Sequence, residues 1–326
     1  MSRTALITGA TGFVGGHLAE RLAAEGWAVR ALVRPTGDAT RLQALGAELV
    51  PGALDDPAAL AAGVAGADTV FHLAAATTAP DEEAYRRVNA EGTLNLARAV
   101  VGAEPRPRRL VYLSSYAACG PAPNGHPRRM DEPPAPVTAY GRSKLAGEEA
   151  AREAAAAGVE LVVVRAPVVY GPGDRAFLPY YRLVQRSLAP VPGGAERPMQ
   201  IVHVRDLARA LVRAADAAPG TYAVAGPRTP TMAELGVEIG RALGTRPRRI
   251  PLPPGLVRAA GAFAERFGHV MGGAGVFGRE KAEEMLAEAW VCDLAGSEVL
   301  LPPEEATPLA EGTAETARWY RTQGWL

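Results

Sequence analysis

Thr4-Ala5-Leu6-Ile7-Thr8-Gly9-Ala10-Thr11-Gly12-Phe13-Val14-Gly15-Gly16-His17-Leu18 couples a short apolar run to a glycine turn and then to helical spacing. The apolar run reads as a buried strand, and Phe13, Leu18 and Leu22 fall on one side of the helix that follows. A strand, a glycine turn and a helix amino terminus make an anion site, because unpaired main-chain N–H groups and the helix dipole face one point. Gly9 permits the tight turn, Gly12 lets a diphosphate approach the backbone, and Gly15 lets helix and strand pack closely. Thr11, Phe13 and Val14 fill the remaining places in this candidate cofactor loop. The spacing is G-x-x-G-x-x-G rather than G-x-G-x-x-G, so its weight comes from opening a strand–helix–strand unit.

Outward from that stretch, strands and helices alternate. Ala28–Val33, Glu48–Val50, Thr69–Leu73, Arg109–Ser115 and Leu161–Arg165 read as strands. Helices are expected over Ala58–Val64, Asp81–Val101 and Ala139–Ala157, with a Pro/Gly-rich loop from Gly120 to Pro136. Strict alternation means a parallel sheet covered on both faces, an α/β doubly wound fold with ligands at the carboxyl ends of the strands. Beyond Gly171-Pro172-Gly173-Asp174 the rhythm changes: a helix over Ala176–Ser187, a turn over Pro190–Pro198, a strand over Gln200–Val204, a helix over Asp206–Ala217 and a strand over Thr221–Ala225. Residues 229–326 read as mostly helical with proline breaks. Trp319, Tyr320, Trp325 and Leu326 are expected to pack rather than react.

A chain of 326 residues, 48% of them hydrophobic, builds a full core. Its 35 basic and 35 acidic residues cancel, which argues against a nucleic-acid partner. The two cysteines, Cys119 and Cys292, are far apart in sequence and lack metal-ligand spacing, so neither a metal site nor a disulfide framework is expected. No apolar stretch has bilayer-spanning length and the first strand begins at once. A soluble, cytoplasmic protein without a membrane partner is the expectation.

The second strand bears on cofactor choice. An acidic residue near its end would bind a ribose 2′-hydroxyl; here the position is Val33, followed by Arg34. A guanidinium there pairs with a 2′-phosphate, so NADP(H) is expected in preference to NAD(H). Two further pieces fall on the same edge: Ser114-Ser115 closing a strand, and Tyr140-Gly141-Arg142-Ser143-Lys144 opening a helix. Tyr140 and Lys144, four apart, share a helix face. A neighbouring ammonium and an oxidised nicotinamide would lower the phenol pKa toward neutrality, while Ser115 holds a substrate oxygen. Catalytic roles are therefore expected for Ser115, Tyr140 and Lys144, with Tyr140 and Lys144 also touching cofactor.

In these motifs the chain resembles the extended short-chain dehydrogenases/reductases, the group that includes NAD-dependent epimerases/dehydratases, dihydroflavonol reductases and 3β-hydroxysteroid dehydrogenases. The resemblance also rests on Val70-Phe71-His72-Leu73-Ala74-Ala75, Asn89-x-x-Gly92-Thr93, Arg165-Ala166-Pro167-Val168-Val169-Tyr170-Gly171-Pro172-Gly173 and His203-Val204-x-Asp206. It implies a Rossmann domain over 1–170 plus about 200–225, and a smaller, mostly helical substrate-binding domain over 171–199 and 226–326. It further implies that Leu73, Ala74 and Ala75 line the cofactor, that Pro167, Val168 and Val169 meet the nicotinamide, and that Asn89 supports the site from beneath. By the same resemblance Leu54 and Asp55 would stand near the adenine; Ala53 occupies the place where relatives carry an acid, so that contact is lost or passes to Asp55. Relatives often pair the helices around 81–101 and 139–157 across a homodimer axis.

The departures select a branch. Tyr116-Ala117 replaces the Asp-Glu pair of sugar-nucleotide dehydratases. Epimerases carry an asparagine shortly after the Arg165 strand and an arginine before the His203 motif; here stand Pro167-Val168-Val169 and Met199, with Arg197 or Arg205 as possible substitutes. Loss of a cation for a dianionic ligand removes about 1.5–3 kcal/mol. The expectation is an NADP(H)-preferring oxidoreductase acting on a ketone or secondary alcohol of a small-molecule substrate. An NAD-dependent nucleotide-sugar epimerase and a non-catalytic NADP-sensing regulator are the alternatives. Leu256, Val257, Phe263, Phe267, Val270, Met271, Val276 and Phe277 would wall an apolar pocket, though such a stripe is more simply core. His72 is expected to be a satisfied core histidine, His203 and Asp206 structural hydrogen bonders, Cys119 a small buried hydrophobe, and Arg128, Arg129, Asp131 and Glu132 solvated.

Overall fold

The computed structural model describes residues 2–194, 196–267 and 278–326. In chain order these form β1 (Thr4–Thr8), α1 (Phe13–Ala24), β2 (Ala28–Val33), α2 (Thr40–Ala44), β3 (Glu48–Pro51), α3 (Pro57–Val64), β4 (Thr69–His72) and α4 (Glu82–Arg86). A π-helical turn (Arg87–Glu91) leads into α5 (Gly92–Gly102), then β5 (Arg109–Ser115), α6 (Tyr116–Cys119), α7 (Ala139–Ala156), β6 (Glu160–Ala166), β7 (Val168–Tyr170), α8 (Leu178–Gln185) and β8 (Leu188–Pro192). Last come β9 (Ile201–His203), α9 (Val204–Ala214), β10 (Gly220–Ala223), α10 (Met232–Leu243), β11 (Arg248–Leu252), α11 (Pro254–Phe267), α12 (Arg279–Leu286) and α13 (Leu309–Thr322).

Seven strands pair in parallel in the order β10-β6-β5-β4-β1-β2-β3. Alternation along each strand sends side chains to two cores: Ala5, Ile7, Phe71, Val111, Val162 and Val164 to one face, Leu6, Val70, Leu110, Tyr112, Leu161 and Val163 to the other. The strand order reverses beside β1, where β4 lies on one side and β2 on the other. A crevice outside the carboxyl ends of β1 and β4 is where such a sheet accepts ligands.

A third core joins Tyr170, Tyr181, Leu235, Ile239 and Tyr320 beyond the sheet. The carboxyl-terminal aromatics pack there as expected, Trp319 edge-on to Trp325 at 4.8 Å and Tyr320 stacked on Trp325 at 5.8 Å between ring centroids. Among the described residues no helix is long and apolar enough to cross a membrane.

Several expectations change. The helix expected over Asp81–Val101 is interrupted by the π turn, which puts Asn89 inside. The turn expected over Pro190–Pro198 begins as β8, paired in parallel with β11. Pro190, Pro192 and Pro251 hide these strands from a propensity reading; each strand bonds on one side only, so missing N–H groups are tolerated. Val257 is core, but Leu256 and Phe263 are exposed; the backbone of Phe267 closes α11, and Val270, Met271, Val276 and Phe277 lie outside the described residues. Arg128 is buried rather than solvated, its guanidinium donating to the Pro133 carbonyl at 3.0 Å. Cys119 and Cys292, distant in sequence, meet with sulfurs 3.6 Å apart.

Candidate active site

The glycine turn is closed by its own backbone. Gly9 has φ +77°, and a Cβ there would sit 2.6 Å from Ala74 N, so β4 presses Leu73 and Ala74 against the turn. A Cβ at Gly15 would fall 2.1 Å from Gly9 O and 2.8 Å from Ala10 Cα. At Gly12 the nearest neighbour is Gly9 O at 3.1 Å, and Gly12 caps α1 without any side-chain bond. The first N–H groups of α1, on Phe13, Val14 and Gly15, have no intrahelical acceptor by geometry. This bare helix end, with no acidic residue in its first turn, fits a dinucleotide diphosphate. Gly15→Ala is expected to cost about 1–3 kcal/mol or more and to abolish cofactor binding, since rigid backbone must yield. Gly16→Ala meets only the flexible end of Arg41 and is tolerated; thermal unfolding and nucleotide titration of both variants check this.

Arg34 follows β2 on a turn closed by Gly37 N donating to Arg34 O at 2.8 Å, and a Cβ on Gly37 would lie 3.5 Å from Thr11 Cγ2. The turn therefore abuts the glycine loop. Among the described residues the exposed Arg34 guanidinium has no partner. Leu54 and exposed Asp55 follow β3 on the same sheet edge, with Leu54 packed where a Cβ on Gly92 would go. Ala75 is half-buried. Pro167 separates β6 from β7, leaving Val168 exposed and Val169 half-buried.

Asn89 is 1% exposed, and its amide is spent within the protein: Nδ2 donates to Ala76 O and Ser143 Oγ, both at 2.9 Å, and Oδ1 accepts from Ala76 N at 2.7 Å. Ser143 Oγ in turn donates to Tyr140 O at 2.7 Å. Asn89 thus braces the backbone after β4 against α7 from below. His72 sits in a saturated chain: Ala74 N donates to Thr8 Oγ1, 2.6 Å from His72 Nδ1, and His72 Nε2 lies 2.9 Å from Thr93 Oγ1, which donates to Asn89 O. Thr93 must then accept from a protonated Nε2. Burial, followed by the charge of Lys144, drives the imidazole pKa down to about 3, so it stays neutral.

Thr138 Oγ1 accepts from Gly141 N at 3.0 Å and starts α7 directly after the proline-rich loop. That start aims Tyr140 at β5, where Ser115 Oγ caps α6 by accepting from Ala117 N at 3.1 Å. Burial pushes the Tyr140 phenol up to about 12, while the Ser115 hydroxyl, as hydrogen-bond partner, pulls the other way. Lys144 Nζ donates to Leu113 O at 2.8 Å and lies 4.3 Å above the Tyr112 ring. Its burial lowers the amine to about 7, opposed by the Glu148 carboxylate. In the protein alone, desolvation outweighs the opposing Ser115 bond, and Lys144 is not among the groups that shift the phenol.

Beneath Lys144, Glu148 and Arg165 are both buried and pair through two bonds of 2.9 and 2.8 Å, with Ser114 Oγ donating to Glu148 at 2.6 Å. Sequence reading missed the other side of the site. Tyr85 stands 6.0 Å from the Tyr140 ring, and Glu280 of α12 accepts from Ala139 N at 2.6 Å and from Arg142 at 3.1 Å. Trp290 Nε1 donates to Glu284 O at 2.8 Å, anchoring the end of α12, whose Glu284 carboxylate helps raise the phenol. No local signal connects residues 280–290 with residue 140. Asp206 is structural as expected, accepting from Thr307 N at 2.7 Å and from Arg209 at 2.7 Å. His203 is not: neither ring nitrogen has a hydrogen-bond partner, its closest carboxylate oxygen on Glu315 is 3.8 Å away, and it packs on Tyr170 instead.

A family model described as the NAD dependent epimerase/dehydratase family matches residues 5–225. Ceramide reductase of Caulobacter vibrioides (strain NA1000 / CB15N) is 34% identical over 328 residues, covering 98% of this chain and 95% of that protein. Among solved structures, gox2253 matches over 100% of both chains with a TM-score of 0.82 and 26% identity. MoeE5 in complex with UDP-glucose and NAD matches over 98% of this chain and 99% of that one, with a TM-score of 0.74 and 26% identity.

Proposed function

The chain belongs to the NAD dependent epimerase/dehydratase family, enzymes of the extended short-chain dehydrogenase/reductase type, and from that premise we propose an NADP(H)-preferring reductase of a ketone on a small, apolar-bodied substrate. The observation that carries this reading is the placement of the half-buried Tyr140 phenol against Ser115 at the end of β5, with Lys144 one turn further along α7. When bound, the nicotinamide supplies the hydride. Ser115 Oγ orients the carbonyl oxygen, and Tyr140 Oη delivers the proton that the oxygen gains. Lys144, fixed by Leu113 O, carries positive charge at or below about pH 7 and would hold the ribose of a bound cofactor. The likeness to a ceramide reductase supports a carbonyl on an apolar body.

Arg34 supports the cofactor preference, as a cation without a protein partner among the described residues, on a turn touching the glycine loop. Arg34→Ala should lower the NADPH/NADH ratio of kcat/KM by roughly 10–140-fold, the equivalent of about 1.5–3 kcal/mol for a charge-assisted bond. An unchanged ratio would defeat the assignment.

Likeness to MoeE5, whose structure holds UDP-glucose and NAD, favours the second reading, a nucleotide-sugar epimerase. Against it, both possible replacements for the missing diphosphate cation are engaged: Arg197 donates to Pro192 O at 3.0 Å, and Arg205 pairs with Glu315. The deciding measurement is NADPH oxidation against long-chain ketones, steroids and nucleotide sugars, beside identification of the nucleotide released on denaturation. Released NAD together with interconversion of UDP-sugars would replace the reductase reading.

A further inference from the structure

Cys119 and Cys292 are 1% and 3% exposed, and their sulfurs stand 3.6 Å apart across 173 residues of sequence. Both are free thiols. Each is held by its backbone. Cys119 ends α6, four residues after Ser115, and its carbonyl accepts from Ala135 N at 2.9 Å. The Cys292 main chain is clasped on both sides by one side chain: Gln200 Oε1 accepts from Cys292 N at 2.9 Å, and Gln200 Nε2 donates to Cys292 O at 3.1 Å. Arg128 adds a bridge, its N donating to Val291 O at 3.0 Å and its O accepting from Asp293 N at 2.9 Å. Two thiols placed in this way by two independent backbone clasps need approach by only about 1.6 Å to reach bonding length.

We propose that Cys119 and Cys292 form a reversible disulfide that staples residues 289–293 to the end of α6, next to Ser115, and so fixes α12 over Tyr140. The connection to α12 runs through Trp290, two residues before Cys292, whose indole holds Glu284 O. Cys119 is the attacking sulfur: its own S–H is directed at Tyr116 O at 3.1 Å, leaving it to accept from the Cys292 thiol, and that bond, with the charges of Arg165 and Arg128, lowers its pKa against the burial that raises it, whereas Cys292 is pushed up. With hydrogen peroxide as oxidant, Cys119 sulfur attacks one peroxide oxygen, the O–O bond breaks and the departing hydroxide leaves as water, giving a sulfenic acid. Cys292 sulfur then attacks Cys119 sulfur, the S–O bond breaks, and hydroxide leaves with the Cys292 proton as a second water. Two thiols lose two electrons, and one peroxide becomes two waters.

The linkage itself is independent of the reductase reading; its effect on turnover rests on that reading. The test treats the whole protein with hydrogen peroxide and maps its peptides by mass spectrometry with and without dithiothreitol. Support is a Cys119–Cys292 cross-linked peptide 2 Da lighter than its parts, released by dithiothreitol and absent from Cys119→Ser and Cys292→Ser. The oxidised wild type should also gain several degrees in unfolding midpoint. NADPH-dependent turnover should fall several-fold and return on reduction, with both serine variants indifferent to peroxide. Two titratable thiols after treatment, or sulfinic acids in place of the cross-link, would overturn the proposal. A cross-link that leaves turnover unchanged removes the control of α12. A cross-link in a protein whose Tyr140→Phe variant retains full activity leaves the staple standing and fells the reductase reading instead.

Discussion

Tyr140→Phe is expected to lower kcat for the proposed NADPH-dependent ketone reduction by roughly 10²–10⁴-fold, the range for losing a positioned proton donor. The ring stays against Tyr85, so unfolding temperature and NADP affinity change little. The pH profile gives a second reading of the same group. A phenol raised to about 12 remains protonated throughout the neutral range, so reduction shows no loss from its ionisation between pH 6 and 9. The reverse oxidation needs the phenolate as base and rises with pH over that interval. Steady-state kinetics in both directions across this range checks the sign; a reduction rate that falls tenfold per unit above pH 7 through Tyr140 would contradict the burial argument.

Glu148→Ala is expected to cost about 3–5 kcal/mol, because it leaves the Arg165 guanidinium buried and unpaired. With an unfolding entropy of about 2.1 cal/mol/K per residue, that lowers the midpoint by roughly 4–7 °C. Glu148→Gln keeps two acceptor–donor contacts in outline and should lose less. The effect reaches the site as well. Glu148 is the group that raises the Lys144 amine against its burial, so its removal drives that amine further down and shrinks the charged fraction at neutral pH. Calorimetry reads the first consequence, and the pH dependence of NADP binding reads the second. A midpoint within a degree of wild type would show that the pair is not needed for stability.

What was legible in the sequence was whatever local chemistry dictates. The strand ends at Thr8, Val33 and Ser115 follow from apolar runs terminated by glycine, arginine or a capping serine, and the structure puts them where that reading did. Tyr140 and Lys144 came out of helical spacing, and Asn89 and its neighbours from a motif. Long-range consequences were hidden. The rise of the phenol pKa in the protein alone was among them: desolvation, and the charge of Glu284, come from groups remote in sequence. Proline disguised β8 and β11, since propensity weighs a lost N–H that an edge strand never uses. The meeting of Cys119 with Cys292, and the orphaned nitrogens of His203, depend on tertiary packing that no periodicity encodes.

The helix α12 begins at Arg279, more than 50 residues past the end of the segment that the family model matches. It nevertheless anchors on Ala139 N and Arg142 beside the phenol. One wall beside the phenol is therefore contributed by a stretch outside the segment that the family model matches. Exchanging residues 279–290 between relatives is accordingly expected to change both the wall of the site and, through Glu284, the electrostatic setting of the phenol itself.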